Sequence, residues 1–99
     1  MGQLLLHKAS FSGHVDLALF LVEHGADVTP RDRDGSTPLH HASLWGHVGV
    51  AQFLIERGAD TTARDVGGFT PLHVASYYGH GDLARFFVDL GVDVTTQDN

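Results

Sequence analysis

The chain contains no cysteine. Disulfides, thiolate chemistry and cysteine-ligated zinc are therefore excluded, and so small a fold must rest on packing and regular local structure. Fixed positive charge is scarce. Lys8, Arg31, Arg33, Arg57, Arg64 and Arg85 are scattered among twelve carboxylates, giving a formal net charge of −6. Phosphate binding needs clustered lysine and arginine, so no general affinity for nucleic acid or acidic membranes is expected. Long apolar runs are missing too. Leu4-Leu5-Leu6 is far too short for a signal core or a membrane span. Met1-Gly2 is followed by Leu6 where myristoylation wants Ser or Thr. The default expectation is a cytoplasmic protein, with the nucleus as the other compartment. Phosphate-loop, His-Glu-x-x-His and Gly-x-Ser-x-Gly motifs are absent as well. Neither an enzyme nor a cofactor is expected.

What the chain has in abundance is repetition, and internal periodicity sets the fold before any local detail. Leu-His falls at Leu6-His7, Leu39-His40 and Leu72-His73, with a step of 33 residues. The same step relates Gly13-His14, Gly46-His47 and Gly79-His80. It also relates Gly25, Gly58 and Gly91, then Asp27, Asp60 and Asp93, then Asp32, Asp65 and Asp98. Ala9, Ala42 and Ala75 keep this register, as do Ser10, Ser43 and Ser76. One domain, 1–99, divides into units 1–33, 34–66 and 67–99.

Each unit reads as two short antiparallel helices and a turn. Thr37-Pro38 and Thr70-Pro71 begin helices well, because Thr offers a capping oxygen and Pro at the first position has no N–H to leave unpaired. The three-residue step from Thr37 to His40 suits reciprocal capping, with imidazole in the place of Glu or Gln. Gly46 ends the first helix of its unit, since glycine takes a left-handed position without steric cost. A second helix at about 48–57 follows from Val48, Val50, Ala51, Leu54 and Ile55, spaced for one buried face. In the turn, Asp65 accepts backbone N–H bonds and Gly67-Gly68 supply positive-φ conformations.

A 33-residue period carrying Thr-Pro-Leu-His at 37–40 and 70–73, Gly-His at 46–47 and 79–80, and Gly-Ala-Asp at 25–27 and 58–60 resembles the ankyrin repeat. The resemblance covers the whole chain. It implies an all-α solenoid of stacked helix-turn-helix units joined by β-turn or hairpin-like loops, working as a scaffold for protein binding. The first unit departs from the pattern: Leu4-Leu5 stand where Thr-Pro would, so its first helix is expected to lack a cap and fray. Arrays of this kind usually carry Asn two residues after the Gly-Ala-Asp aspartate, a site of hydroxylation in some members. Thr29, Thr62 and Thr95 stand there, so that modification is not expected.

Eight histidines invite a search for metal or proton chemistry. Six of them, His7, His14, His40, His47, His73 and His80, are periodic, and structural capping and inter-unit hydrogen bonds account for them. Equivalent residues in stacked units lie roughly 8–10 Å apart, whereas a zinc ligand nitrogen sits about 2 Å from its metal. Equivalent histidines therefore cannot share an ion, and no metal site is expected. His24 and His41 break the pattern and are expected to be exposed. If His40 and His73 are buried and neutral, acid should destabilise the fold.

If recurring positions build the scaffold, irregular ones are free for recognition. By the family resemblance, partners meet the turn tips and the exposed face of the first helices. Those positions carry Phe11 and Ser12, then Arg33, Asp34, Ser36, Leu44 and Trp45, then Val66, Gly67, Phe69, Tyr77 and Tyr78. The pair before each Gly-His word reads Phe-Ser, Leu-Trp, Tyr-Tyr, an aromatic strip of a kind that dominates binding energy. The other reading of these rings is packing against neighbouring helices. The expected partner is a protein or peptide.

The ends suggest a second reading. Isolated solenoids usually need terminal units with polar outer faces, yet Leu4, Leu5 and Leu6 open the first unit, and Phe86, Phe87, Val88 and Leu90 lie in the last helix. A piece of a longer array, or an engineered scaffold, would look like this. An architectural segment that self-associates through its terminal repeats is thus the alternative to a binding module.

Overall fold

The computed structural model describes residues 2–92, with side chains from Leu5 onward. Six helices follow one another: α1 (Gly2–Ser12), α2 (Val15–Glu23), α3 (Pro38–Leu44), α4 (Val48–Glu56), α5 (Pro71–Tyr77) and α6 (Gly81–Asp89). No strand occurs among the described residues. Each unit is an antiparallel pair, α1 with α2, α3 with α4, α5 with α6. The pairs stack so that α1, α3 and α5 form one layer and α2, α4 and α6 the other. Asp93, Thr95 and Asp98, which continue the periodic pattern, lie outside the described residues.

The capping word behaves as its chemistry requires. At the head of α3 the Thr37 hydroxyl accepts from the His40 amide, and the Thr37 amide donates to His40 Nδ1 at 3.1 Å. Thr70 and His73 repeat this arrangement at the head of α5. Without Thr-Pro, α1 is not confined to the equivalent start: it begins at Gly2 and is longer than α3 and α5. A proline at the first position blocks extension backwards because its ring excludes the preceding turn, and no proline stands there in the first unit.

The core runs between the layers. Leu6, Leu39 and Leu72 recur on the first helices with Ala9, Ala42 and Ala75, whose small side chains allow close helix approach. Ala18, Ala51, Val50, Leu54, Leu83 and Phe87 close it from the second layer. Both terminal expectations need correction. Leu6 and Phe87 are fully buried and Phe86 is half-buried, because the face of α6 that carries Leu83 and Phe87 turns inward. Only Leu5, Val88 and Leu90 of the named apolar residues are exposed, and Leu4 lies outside the described side chains.

The Gly-His word locks the stack. Gly46 adopts φ 70° after the C-cap of α3, where its amide donates to the Ser43 carbonyl and the next amide, His47, to the Ala42 carbonyl. A Cβ on Gly46 would lie 2.6 Å from Nδ1 of His80 in the following unit, whose Nε2 donates to the Leu44 carbonyl at 2.8 Å. His47 sits on Gly13 in the same way and donates to the Phe11 carbonyl. Gly79 has φ 77° but no heavy atom within 4 Å of such a Cβ among the described residues. These two glycines separate conformation from contact. Gly79→Ala is expected to cost about 1–2 kcal/mol, the left-handed penalty alone. Gly46→Ala should cost clearly more, because it also evicts His80. Urea midpoints of the two variants check this ordering.

The connecting turns are hairpin-like. Asp32 Oδ1 accepts from the amides of Asp34 and Ser36, and Asp65 Oδ1 from those of Gly67 and Phe69. Of the two adjacent glycines, only Gly68 takes positive φ. The Val66 amide donates to the Asp34 carbonyl at 2.9 Å and joins neighbouring tips. Arg31, which looked like a scattered cation, straps the turn by donating from Nη1 to the carbonyls of Gly35 and Arg64. Arg64 donates likewise to Gly68. Thr29 and Thr62 donate amide and hydroxyl to Asp27 and Asp60. These bonds, the amide's stronger at Asp27 and the hydroxyl's stronger at Asp60, hold both carboxyls below the usual carboxylate range.

Candidate functional site

The layer of first helices and the turn tips enclose an open groove of about 530 Å³ between the second and third units. The cap of each first helix fixes where its exposed residues fall, and the Asp32 and Asp65 turns bring the tips down beside them. Of the sequence-predicted positions, Asp34, Ser36, Leu44, Phe69, Tyr77 and Tyr78 line this groove. Phe11, Arg33, Trp45 and Val66 do not belong to its lining, although all four are exposed. Ser12 and Gly67 are exposed as well, outside the lining.

The aromatic residues form two pairs rather than one strip. Phe11 and Trp45 meet edge to face with centroids 5.2 Å apart, and Tyr77 and Tyr78 do so at 5.0 Å. No ring contact joins the pairs among the described residues. The rings therefore pack on one another yet stay open to solvent, with Trp45 51% and Tyr77 78% exposed.

Four lining residues escaped the sequence reading: His40, His41, Asp65 and Val74. For two of them a signal existed. His41 and Val74 occupy the position after the recurring histidine, where the first unit has Lys8, so they are irregular by the rule used for the other site residues. His41 is not exposed as expected. Its side chain is 21% exposed, and its Nε2 donates to Asp32 Oδ2 at 2.8 Å. Its ring is also edge-on to His7 at 5.2 Å and near Phe11 at 6.1 Å. Burial pushes the Asp32 carboxyl up, but the His41 bond and the amides of Ser36 and Asp34 outweigh it and leave the carboxyl below its ordinary range.

His7, Asp32 and His41 bring ligand atoms within 4.8 Å of one another, a grouping of non-equivalent positions that the repeat argument did not cover. Hydrogen bonding accounts for their geometry. His7 Nε2 lies 3.0 Å from the Ser36 carbonyl, so it carries the proton and offers no lone pair to a cation. His41 Nε2 likewise carries the proton it donates to Asp32, which leaves one carboxylate, short of the three or four protein ligands of a zinc site.

The other histidines mostly work as inter-unit donors. His40 Nε2 donates to the Phe69 carbonyl at 2.8 Å, which makes Nδ1 the acceptor for the Thr37 amide. His14 is the departure: its imidazole makes no capping bond to α2 and has no hydrogen-bond partner among the described residues. His40 is buried and His73 half-buried. Burial pushes the His40 imidazole below its ordinary range, against the opposing pull of the Phe69 carbonyl. The unfolded chain therefore binds a proton that the folded chain refuses. The stability from neutral His40 is complete above the unfolded pKa of about 6.5 and is lost as pH falls through the depressed folded value. The melting temperature should drop between about pH 7.5 and about pH 5, and His40→Gln should flatten that slope.

Comparison with known proteins agrees with this architecture. Family models described as ankyrin repeats in many copies match residues 6–55 and 66–99. A segment of 37 residues is 47% identical to the inhibitor of Bruton tyrosine kinase of Xenopus laevis, covering 37% of this chain and 3% of that protein. The chain thus corresponds to a small part of that relative. No helix among the described residues is long and apolar enough to cross a membrane. Period, paired helices and family matches agree over nearly the same residues: the chain belongs to the ankyrin-repeat family, whose domains are generally protein-interaction modules and typically non-catalytic.

Proposed function

We propose that this chain is a non-catalytic binding module that presents its groove and the flanking Phe11–Trp45 pair to a protein or peptide partner. One observation carries the reading: rings that the fold does not need in its core stand exposed beside a groove on the layer of first helices. Exposed aromatic residues around a concavity are where binding energy concentrates. Arg33, Asp34 and Val66 at the turn tips extend the proposed contact surface. A cytoplasmic or nuclear setting goes with this reading. Capture from a cell lysate on the immobilised chain tests it, run beside a Trp45→Ala/Tyr78→Ala variant of unchanged helical circular dichroism. A partner held by the wild type should lose at least ~2 kcal/mol of affinity in the variant. Equal capture by both would move the contact surface elsewhere.

The alternative, an architectural segment that self-associates, draws on a different observation. Among the described residues nothing occupies the seat on Gly79, and the His14 imidazole makes no hydrogen bond. A head-to-tail contact would place one copy's His14 on another copy's Gly79, a heterologous and non-closing arrangement. Light-scattering mass that rises with concentration would favour this reading, and a constant monomer mass would remove it.

A further inference from the structure

The groove has a charge as well as a shape. Asp34 and Asp65 line it, and no arginine or lysine does among the described residues. The Asp34 carboxylate has no hydrogen-bond or ion-pair partner there, its backbone alone being engaged. Asp65 commits Oδ1 to the amides of Gly67 and Phe69 and leaves Oδ2 without a described partner. Arg31 and Arg64, outside the lining, commit Nη1 to backbone carbonyls of the turns, and Asp32 is taken up by His41. His40 is held neutral by its burial, and His41 is turned toward Asp32. The rings of Phe69, Tyr77 and Tyr78 line the same groove, Phe69 on the Asp65 turn and the tyrosines edge to face. An aromatic face attracts a cation through its quadrupole, and a carboxylate supplies the counter-charge. Partners of like charge are disfavoured by the same field and by the net charge of −6.

We infer that the groove takes a basic side chain, arginine or lysine, from a partner peptide, with Asp34 and Asp65 as counter-charges and Tyr77 and Tyr78 as the stacking wall. The inference rests on the binding-module reading above and adds the chemistry of the partner. Asp34 is the direct test position, because its carboxylate serves no bond among the described residues. Asp65→Asn keeps an oxygen for the turn amides while removing the charge.

A random-peptide display library selected on the wild-type chain, and counter-selected on a Tyr77→Ala/Tyr78→Ala variant, tests the inference. The recovered peptides are expected to share an arginine or lysine, and replacing it by citrulline or norleucine should weaken binding at least about ten-fold. Asp34→Asn with Asp65→Asn should produce a comparable loss. Asp16→Asn with Asp82→Asn, which removes equal charge at the heads of α2 and α6, should leave affinity unchanged. Groove-dependent peptides that lack a basic position, or that ignore the Asp34/Asp65 variant, would overturn the inference and leave the binding module standing. A selection returning no groove-dependent peptide would overturn both.

Discussion

Phe87→Ala is expected to destabilise the fold by about 3–5 kcal/mol, while Val88→Ala beside it costs no more than about 0.5 kcal/mol. The two residues differ by one step on α6 and by everything in environment. Phe87 is fully buried within the cluster that includes Leu83, whereas Val88 is 47% exposed. Truncating the ring removes its transfer free energy and leaves a cavity that a two-layer stack closes only partly. Domains of this size have about 5–15 kcal/mol of total stability, so the loss could reach most of it. Urea denaturation of the two single variants gives the comparison, and equal midpoints would place Phe87 outside the core.

His40→Ala should cost about 3 kcal/mol, large for one polar side chain. Three bonds depend on that imidazole: Nε2 to the Phe69 carbonyl, and Nδ1 to the Thr37 amide and hydroxyl. Loss of a cap is worth about 1 kcal/mol, and each buried group left unsatisfied costs about 1–3 kcal/mol. His40→Gln should recover part of this through one of the three bonds. His41→Ala, one residue along, gives up the partly exposed bond to Asp32 and the ring contacts with His7 and Phe11, and should cost about 1 kcal/mol. Hydrogen exchange at the start of α3 provides a second measurement: protection should fall in His40→Ala and persist in His41→Ala.

The fold was legible because every unit carries its own start and stop chemistry. Thr-Pro fixes where α3 and α5 begin, Gly-His fixes where they end, and the step of 33 residues fixes what they pack against. Where a unit lacks the word, the start was not legible: α1 has no proline to stop it and extends to Gly2. The apolar end of α6 misled for another reason. Phe86, Phe87 and Val88 in α6, with Leu90 as its C-cap, look exposed until the inward face is known, and that face takes Phe87.

The site was legible in part. Irregularity identified Leu44, Tyr77 and Tyr78, but His41 and Val74 are irregular too and were passed over beside the recurring histidine. Adjacent residues on a helix point about 100° apart, so His40 can bond the next unit while His41 faces the groove. Burial of His41 against His7 and Asp32 could not be read from spacing, because those three positions belong to no common period. Arg31 and Arg64 show the reverse: they do recur at the repeat step, and treating them as scattered charge concealed a strap between turns.

The account divides the chain into recurring residues that bind unit to unit and irregular residues that face a partner. The measurement that tests this division most directly is the urea midpoint of Tyr77→Ala/Tyr78→Ala set against that of His40→Ala. Removing two large rings from the groove should cost about 1 kcal/mol, the worth of one edge-to-face pair, and removing one imidazole from the stack about three times as much. The opposite order would mean that the tyrosines hold the fold together and that the groove is not a free surface.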